Sequence, residues 1–113
     1  EEDREARCTS QGERMNVFVT ADARRSLART IRLLARTHSK TYLVKLRDEV
    51  NVSVIRLGQH PLSGAIELEL EHLGKGHRRV IVGPFKIIYR ITPKQIVVTD
   101  IFDSRRDPKG MKG

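Results

Sequence analysis

Apolar and polar residues first fall into a regular pattern at Met15. The run MNVFVT from Met15 to Thr20 predicts a short strand around Val17, Phe18 and Val19. Thr20 or Asp22 then offers a cap for a helix running to about Thr37. In it Ala23, Leu27, Ile31 and Leu34 recur at spacings of four, four and three, which is one face of a helix. Arg24, Arg25, Arg29, Arg32 and Arg36 lie on the other side, where exposed arginine is ordinarily just solvated. His38-Ser39-Lys40 interrupts the period. A second helix, from about Ser39 to Leu57, carries Leu43, Leu46, Val50, Val54 and Leu57 inward. Its β-branched stretch from Val50 to Ile55 lowers intrinsic propensity, which packing has to override. A short link between two amphipathic helices predicts an antiparallel hairpin.

Gly58, Pro61 and Gly64 end this helical region in a loop. Beyond them Ile66, Leu68 and Leu70 alternate with Glu67, Glu69 and Glu71. A period of two predicts extended chain from Ala65 to Leu73 with a wet acidic edge, helix being the alternative because Glu and Leu are good helix formers. Past Gly74-Lys75-Gly76 the chain reads as a three-stranded meander. Its strands are Arg78–Val82, Phe85–Ile91 and Ile96–Asp103, with turns at Gly83-Pro84 and Thr92–Gln95. Alternation sends Phe85, Ile87, Tyr89 and Ile91 toward the helices, and leaves Lys86, Ile88 and Arg90 on an open face.

Residues 1–14 show no hydrophobic period and are expected to be a disordered or non-native extension, with Met15 the natural start. The folded part, 15–113, is then a single domain of common size.

Charge changes the picture. The chain has 22 Lys and Arg against 14 Asp and Glu, a formal charge of +8, unevenly spread. Residues 1–14 carry −2, the remainder +10, and residues 75–113 alone +7. Such a field draws polyanions or an acidic protein, the bland alternative being a basic surface that keeps a small protein soluble. Cys8 is the only cysteine, so no intramolecular disulfide forms, and a cytoplasmic location is expected. His38, His60, His72 and His77 lack metal-ligand spacing, so neither metal nor cofactor is expected. No apolar run is long enough for a membrane span.

The order of elements adds a family likeness. A strand, two helices, a loop with His60-Pro61 and Gly64, then RRVIVGxFKIIYRI followed by IFDSRRDPK, resembles the RelE/ParE toxins of bacterial type II toxin–antitoxin modules, the plasmid stabilisation type. The likeness covers about residues 15–112. It implies a compact α+β domain, a mainly antiparallel twisted sheet packed against an N-terminal helical hairpin. It also implies a cognate antitoxin whose acidic or flexible segment covers the toxin, and it allows a higher-order toxin–antitoxin complex. RelE-like members cleave mRNA on the ribosome, whereas ParE-like members poison DNA gyrase, so whether the chain is an enzyme stays open. For the first activity, cations on the sheet would stabilise charge developing at phosphorus. An ungapped match places Arg79, Lys86 and Arg106 at basic positions of that constellation, with Arg and Lys exchanged at the first two. His77 is a weaker candidate, a general base beside the cluster, although a histidine at a strand start is more often a surface residue. Arg78, Arg90, Arg105 and Lys109 are candidates for contacting a partner or target. The family's tail tyrosine has no counterpart, and Asp103 stands where several relatives carry histidine. Both absences lean toward the gyrase branch. The alternative outside the family is a non-toxic basic module that binds nucleic acid, for which the few aromatic residues offer little stacking surface.

Overall fold

The computed structural model describes residues 14–113; the expectations for residues 1–13 lie outside it. Five strands and two helices follow in the order β1 (Asn16–Val19), α1 (Ala21–Leu34), α2 (Lys40–Gln59), β2 (Ala65–Ile66), β3 (Arg78–Val82), β4 (Phe85–Ile91) and β5 (Gln95–Asp103). Short 3-10 helices occupy Leu68–Leu73 and Pro108–Gly110. The strands form one sheet in the order β1-β5-β4-β3-β2. All neighbours are antiparallel except β1, which runs parallel to β5 with Val17 opposite Ile96 and Val19 opposite Val98.

Capping side chains set the helix starts. Thr20 accepts from the Ala23 N–H and Ser39 from the Tyr42 N–H, each satisfying a donor that the first turn would otherwise leave bare. α1 stops at Leu34, three residues short of the expected Thr37, because the amides of Arg36 and Thr37 tighten onto the carbonyls of Leu33 and Leu34. α1 lies along β5, and α2 touches β1, β3 and β5. Between helices and sheet lies the main core, with Leu46, Val50 and Leu57 from α2 meeting Phe85, Ile87 and Tyr89 from β4. The inward assignment of Phe85, Ile87 and Tyr89 is borne out. All three are fully buried.

The loop after α2 is built around Tyr89. Its hydroxyl donates to the Pro61 carbonyl at 2.7 Å and accepts from the Gly64 N–H at 2.9 Å. Gly64 fits there because it has no side chain. A Cβ would lie 2.7 Å from the tyrosine oxygen and 2.7 Å from the Arg79 carbonyl. This is the physical content of the HPxxG run.

Two sequence expectations fail on the other side of the sheet. Ala65–Leu73 is not an extended strand: β2 has 2 residues, and the chain then winds into a 3-10 helix from Leu68 to Leu73. Nor is the far face open. Ile88 is fully buried in a second cluster with Leu70, Phe102 and Met111, so the 3-10 helix and the C-terminal tail cover the middle of that face. Asp100 accepts from the Lys112 N–H at 2.9 Å, and Thr99 donates to the Lys112 carbonyl at 3.0 Å. These contacts fix the tail to β5. Among the described residues, no helix is long and apolar enough to cross a membrane.

A cationic face with an internal carboxylate

Strand register places most of the candidate residues. Arg79 pairs with Ile88, Ile88 with Asp100, Ile81 with Lys86, and Lys86 with Phe102. These residues share the face turned away from the helices, because alternate residues of a strand point the same way. Arg106 lies over the Phe102 ring, 5.8 Å from its centroid, and Phe102 is the strand partner of Lys86. Arg79, Lys86 and Arg106 are therefore brought to one surface.

At its centre stands Glu67, which the alternating pattern assigns to a wet edge together with Glu69 and Glu71. The last two are exposed, but the Glu67 side chain is only 3 % exposed. One of its oxygens caps the 3-10 helix by accepting from the Glu69 N–H at 3.1 Å. The other lies 3.7 Å from Lys86 Nζ and 3.9 Å from Arg79 Nη1. Arg79 is further held by donating to the Ile66 carbonyl at 2.6 Å. The alternation rule misses this because the chain leaves extended geometry one residue later, where parity no longer decides direction. The two cations and the buried carboxylate form an ionic triad supplied wholly by this chain.

The other candidates take separate places. Arg78 points to the opposite face and donates to the Gly64 carbonyl at 2.6 Å, bracing the loop. Arg105 forms a forked pair with the buried Asp103, at 2.9 and 2.7 Å, and its own amide adds a third bond at 3.0 Å. Those hydrogen bonds hold the Asp103 carboxyl below its ordinary value, against a burial effect that pushes upward. Lys109 sits on the second 3-10 helix and is exposed, its amide capped by Asp107 at 3.0 Å. Arg90 is half-buried, and its Nε has no protein partner.

His77 is not at the surface, contrary to the usual expectation for a strand start. It is 1 % exposed, and neither ring nitrogen has a hydrogen-bond partner. Burial lowers its pKa, and the positive charges of Arg90 and Lys75 lower it further, against a smaller upward pull from the Gly113 backbone. The imidazole is closed off from solvent. Among the described residues, no group of three His, Cys, Asp or Glu is placed to hold a metal ion.

A concavity lies elsewhere, between α2 and the outer edge of β3. It is about 480 Å³ and lined by Ser53, Arg56, Leu57, His60, Ser63 and Val80. β2 pairs only with Arg78 and Arg79, so the outer edge of β3 from Val80 to Val82 faces no strand, and Ile81 is 66 % exposed.

Comparison with known proteins agrees with this architecture. No curated protein matches the chain. Among solved structures it is similar to a chain of the chromosomal ParDE TA system from P. aeruginosa, with a TM-score of 0.65 and 19% sequence identity, covering 79% of this chain and 95% of that one. At that identity the likeness speaks for the fold. The family model for the ParE toxin of the type II toxin–antitoxin system, parDE, matches residues 17–108, from β1 through the start of the second 3-10 helix. A match over most of the chain makes it a member of the ParE toxin family of type II toxin–antitoxin systems.

Proposed function

We propose that the chain inhibits growth by contacting DNA gyrase as a protein ligand, without cleaving RNA, and that a cognate antitoxin neutralises it. The observation that carries this reading is Glu67 between Arg79 and Lys86. A phosphoryl-transfer centre keeps its cations free to meet charge that appears only in the transition state. Here two of the three candidate cations already face a buried carboxylate. Arg105, near the third, is held by Asp103. A general base has to reach the proton it abstracts, and His77 is buried. Arg106 and Lys109 are exposed and suit a protein surface.

The antitoxin reading draws support from the family and from the solved ParDE system to which the chain is similar. Residues 15–113 carry +10, which suits an acidic, flexible segment that orders as it docks. The unpaired edge of β3 beside the α2 groove offers backbone donors and acceptors to such a segment. Both partners work in the cytoplasm, which sets the site of action.

Two assays on the same preparation test the reading. The purified chain is expected to block gyrase supercoiling, with antitoxin restoring it, while primer extension on mRNA after induction shows no codon-phased cuts. Codon-phased cuts with gyrase untouched would overturn it.

A further inference from the structure

We propose that the outer face of α1 binds the phosphate backbone of double-stranded DNA without regard to sequence. The inference is independent of the gyrase reading, since it concerns a surface that none of the candidate residues occupies.

Helix geometry fixes the face. At about 100° per residue, Arg25, Arg29 and Arg32 fall within an arc of about 60°, and Arg36 continues their line into the closing turn. The buried residues Ala23, Ser26, Thr30 and Leu34 centre on the opposite side. The arginines therefore point straight away from the core, and all of them are exposed. Along the axis Arg25 and Arg32 are about 10 Å apart, while duplex DNA presents one negative charge about every 1.7 Å.

Among the described residues, none of these arginines is paired with a buried carboxylate. Arg79, Lys86 and Arg105 are paired with buried carboxylates. On α1 the sole ion pair among the described residues is Arg25 with Asp22, both more than half or about half exposed (68% and 50%) and so readily exchanged. Arg24, at the flank, lines a cleft with Arg47 of α2, which extends the cationic surface sideways.

The stripe also lacks what other partners need. A protein interface is anchored by apolar or aromatic groups at its centre, and between these arginines there is none; Leu33 lies at the margin. Recognition of single strands relies on aromatic platforms for the bases, and α1 has no aromatic residue. Arginine's planar fork matches phosphate oxygens in pairs. Regular, unanchored arginine fits a duplex backbone.

The test is fluorescence anisotropy of the full chain with a labelled duplex of arbitrary sequence, across a salt series. The triple variant R25Q/R29Q/R32Q is compared with R56Q/K75Q/K94Q, which removes the same charge from exposed positions elsewhere. Circular dichroism establishes that each is folded. Removing three phosphate contacts is expected to flatten the slope of log K against log salt by about 2.7, with the second variant keeping a slope close to that of the parent. Equal losses in both variants would reduce the effect to net charge and overturn the proposal. So would absence of duplex binding by the parent, or an α1 variant that loses antitoxin affinity while duplex binding is unchanged.

Discussion

Replacing Tyr89 with Phe removes one oxygen atom from a side chain that is fully buried. That oxygen accepts from Gly64 N–H and donates to the Pro61 carbonyl. The Gly64 amide is buried, and leaving it without an acceptor costs about 1–3 kcal/mol. The Pro61 carbonyl is only partly buried, so water replaces the lost donor and the cost there is about 0.5–1 kcal/mol. The sum is about 1.5–4 kcal/mol. For a domain near 100 residues that is a drop in Tm of roughly 7–20 °C. Thermal melts by circular dichroism read it directly, and urea titration should show a lower midpoint at unchanged slope. The same variant, expressed where it stays folded, is expected to inhibit growth as the parent does, because Tyr89 faces the core and not a substrate. A Tm within about 2 °C of the parent would refute the claim that this hydroxyl ties the loop to β4. Full stability with abolished toxicity would assign the oxygen to chemistry instead.

Gly64→Ala puts a methyl group 2.7 Å from that same oxygen and from the Arg79 carbonyl, so a loss of about 3 kcal/mol is expected in urea unfolding. Glu67→Gln leaves Arg79 and Lys86 without their counter-charge; affinity for single-stranded RNA should rise and its salt slope steepen by about 1.4, measured by anisotropy. The depressed Asp103 carboxyl contributes stability that is whole above the ordinary value of 3.8 and lost as pH falls through its lower folded value. Asp103→Asn should remove that part of the acid limb in pH-dependent melts, about 1 kcal/mol after allowing for the exposed Arg105. His77 acts in a higher window. Its folded pKa lies below 6.5, so the unfolded chain takes up the proton first and stability falls as pH drops from 6.5 toward the folded value. His77→Leu should abolish that slope.

Legibility in the sequence follows the range of the interactions. The meander from Arg78 to Asp103 is readable because each turn carries its own signal and alternation sorts Phe85, Ile87 and Tyr89 from Lys86 within one strand. The cap at Thr20, one of two candidates with Asp22, and the start of the second helix near Ser39 are readable for the same local reason. Alternation, however, defines two faces of a strand without saying what covers either. Ile88 looks like an outward residue until Met111, far along the chain, packs on it. β5 shows no alternation of exposure at all: it is central, with neighbours on both edges and cover on both faces, so even Asp100 and Asp103 are buried. The parallel pairing of β1 with β5 had no local signal. The cationic character of the site was legible, but its neutralisation by Glu67 depended on a turn into 3-10 geometry that composition does not announce.

One residue in β5 sets a constraint of another kind. Ile88 pairs with Asp100 and Tyr89 with Val98, so Thr99 is an extra residue that β4 does not match. Ile101 and Val98, three positions apart, both reach the main core as a result. Every β1 partner, from Gln95 to Val98, lies on one side of Thr99, and the pairs of Phe85–Ile88 lie on the other. The sheet is thus two registers spliced at a single position. Substituting Thr99 would cost little beyond its hydroxyl, whereas deleting it would turn Ile96 and Val98 out of the core and carry β1 with them. At this point in the chain, length is under tighter control than identity.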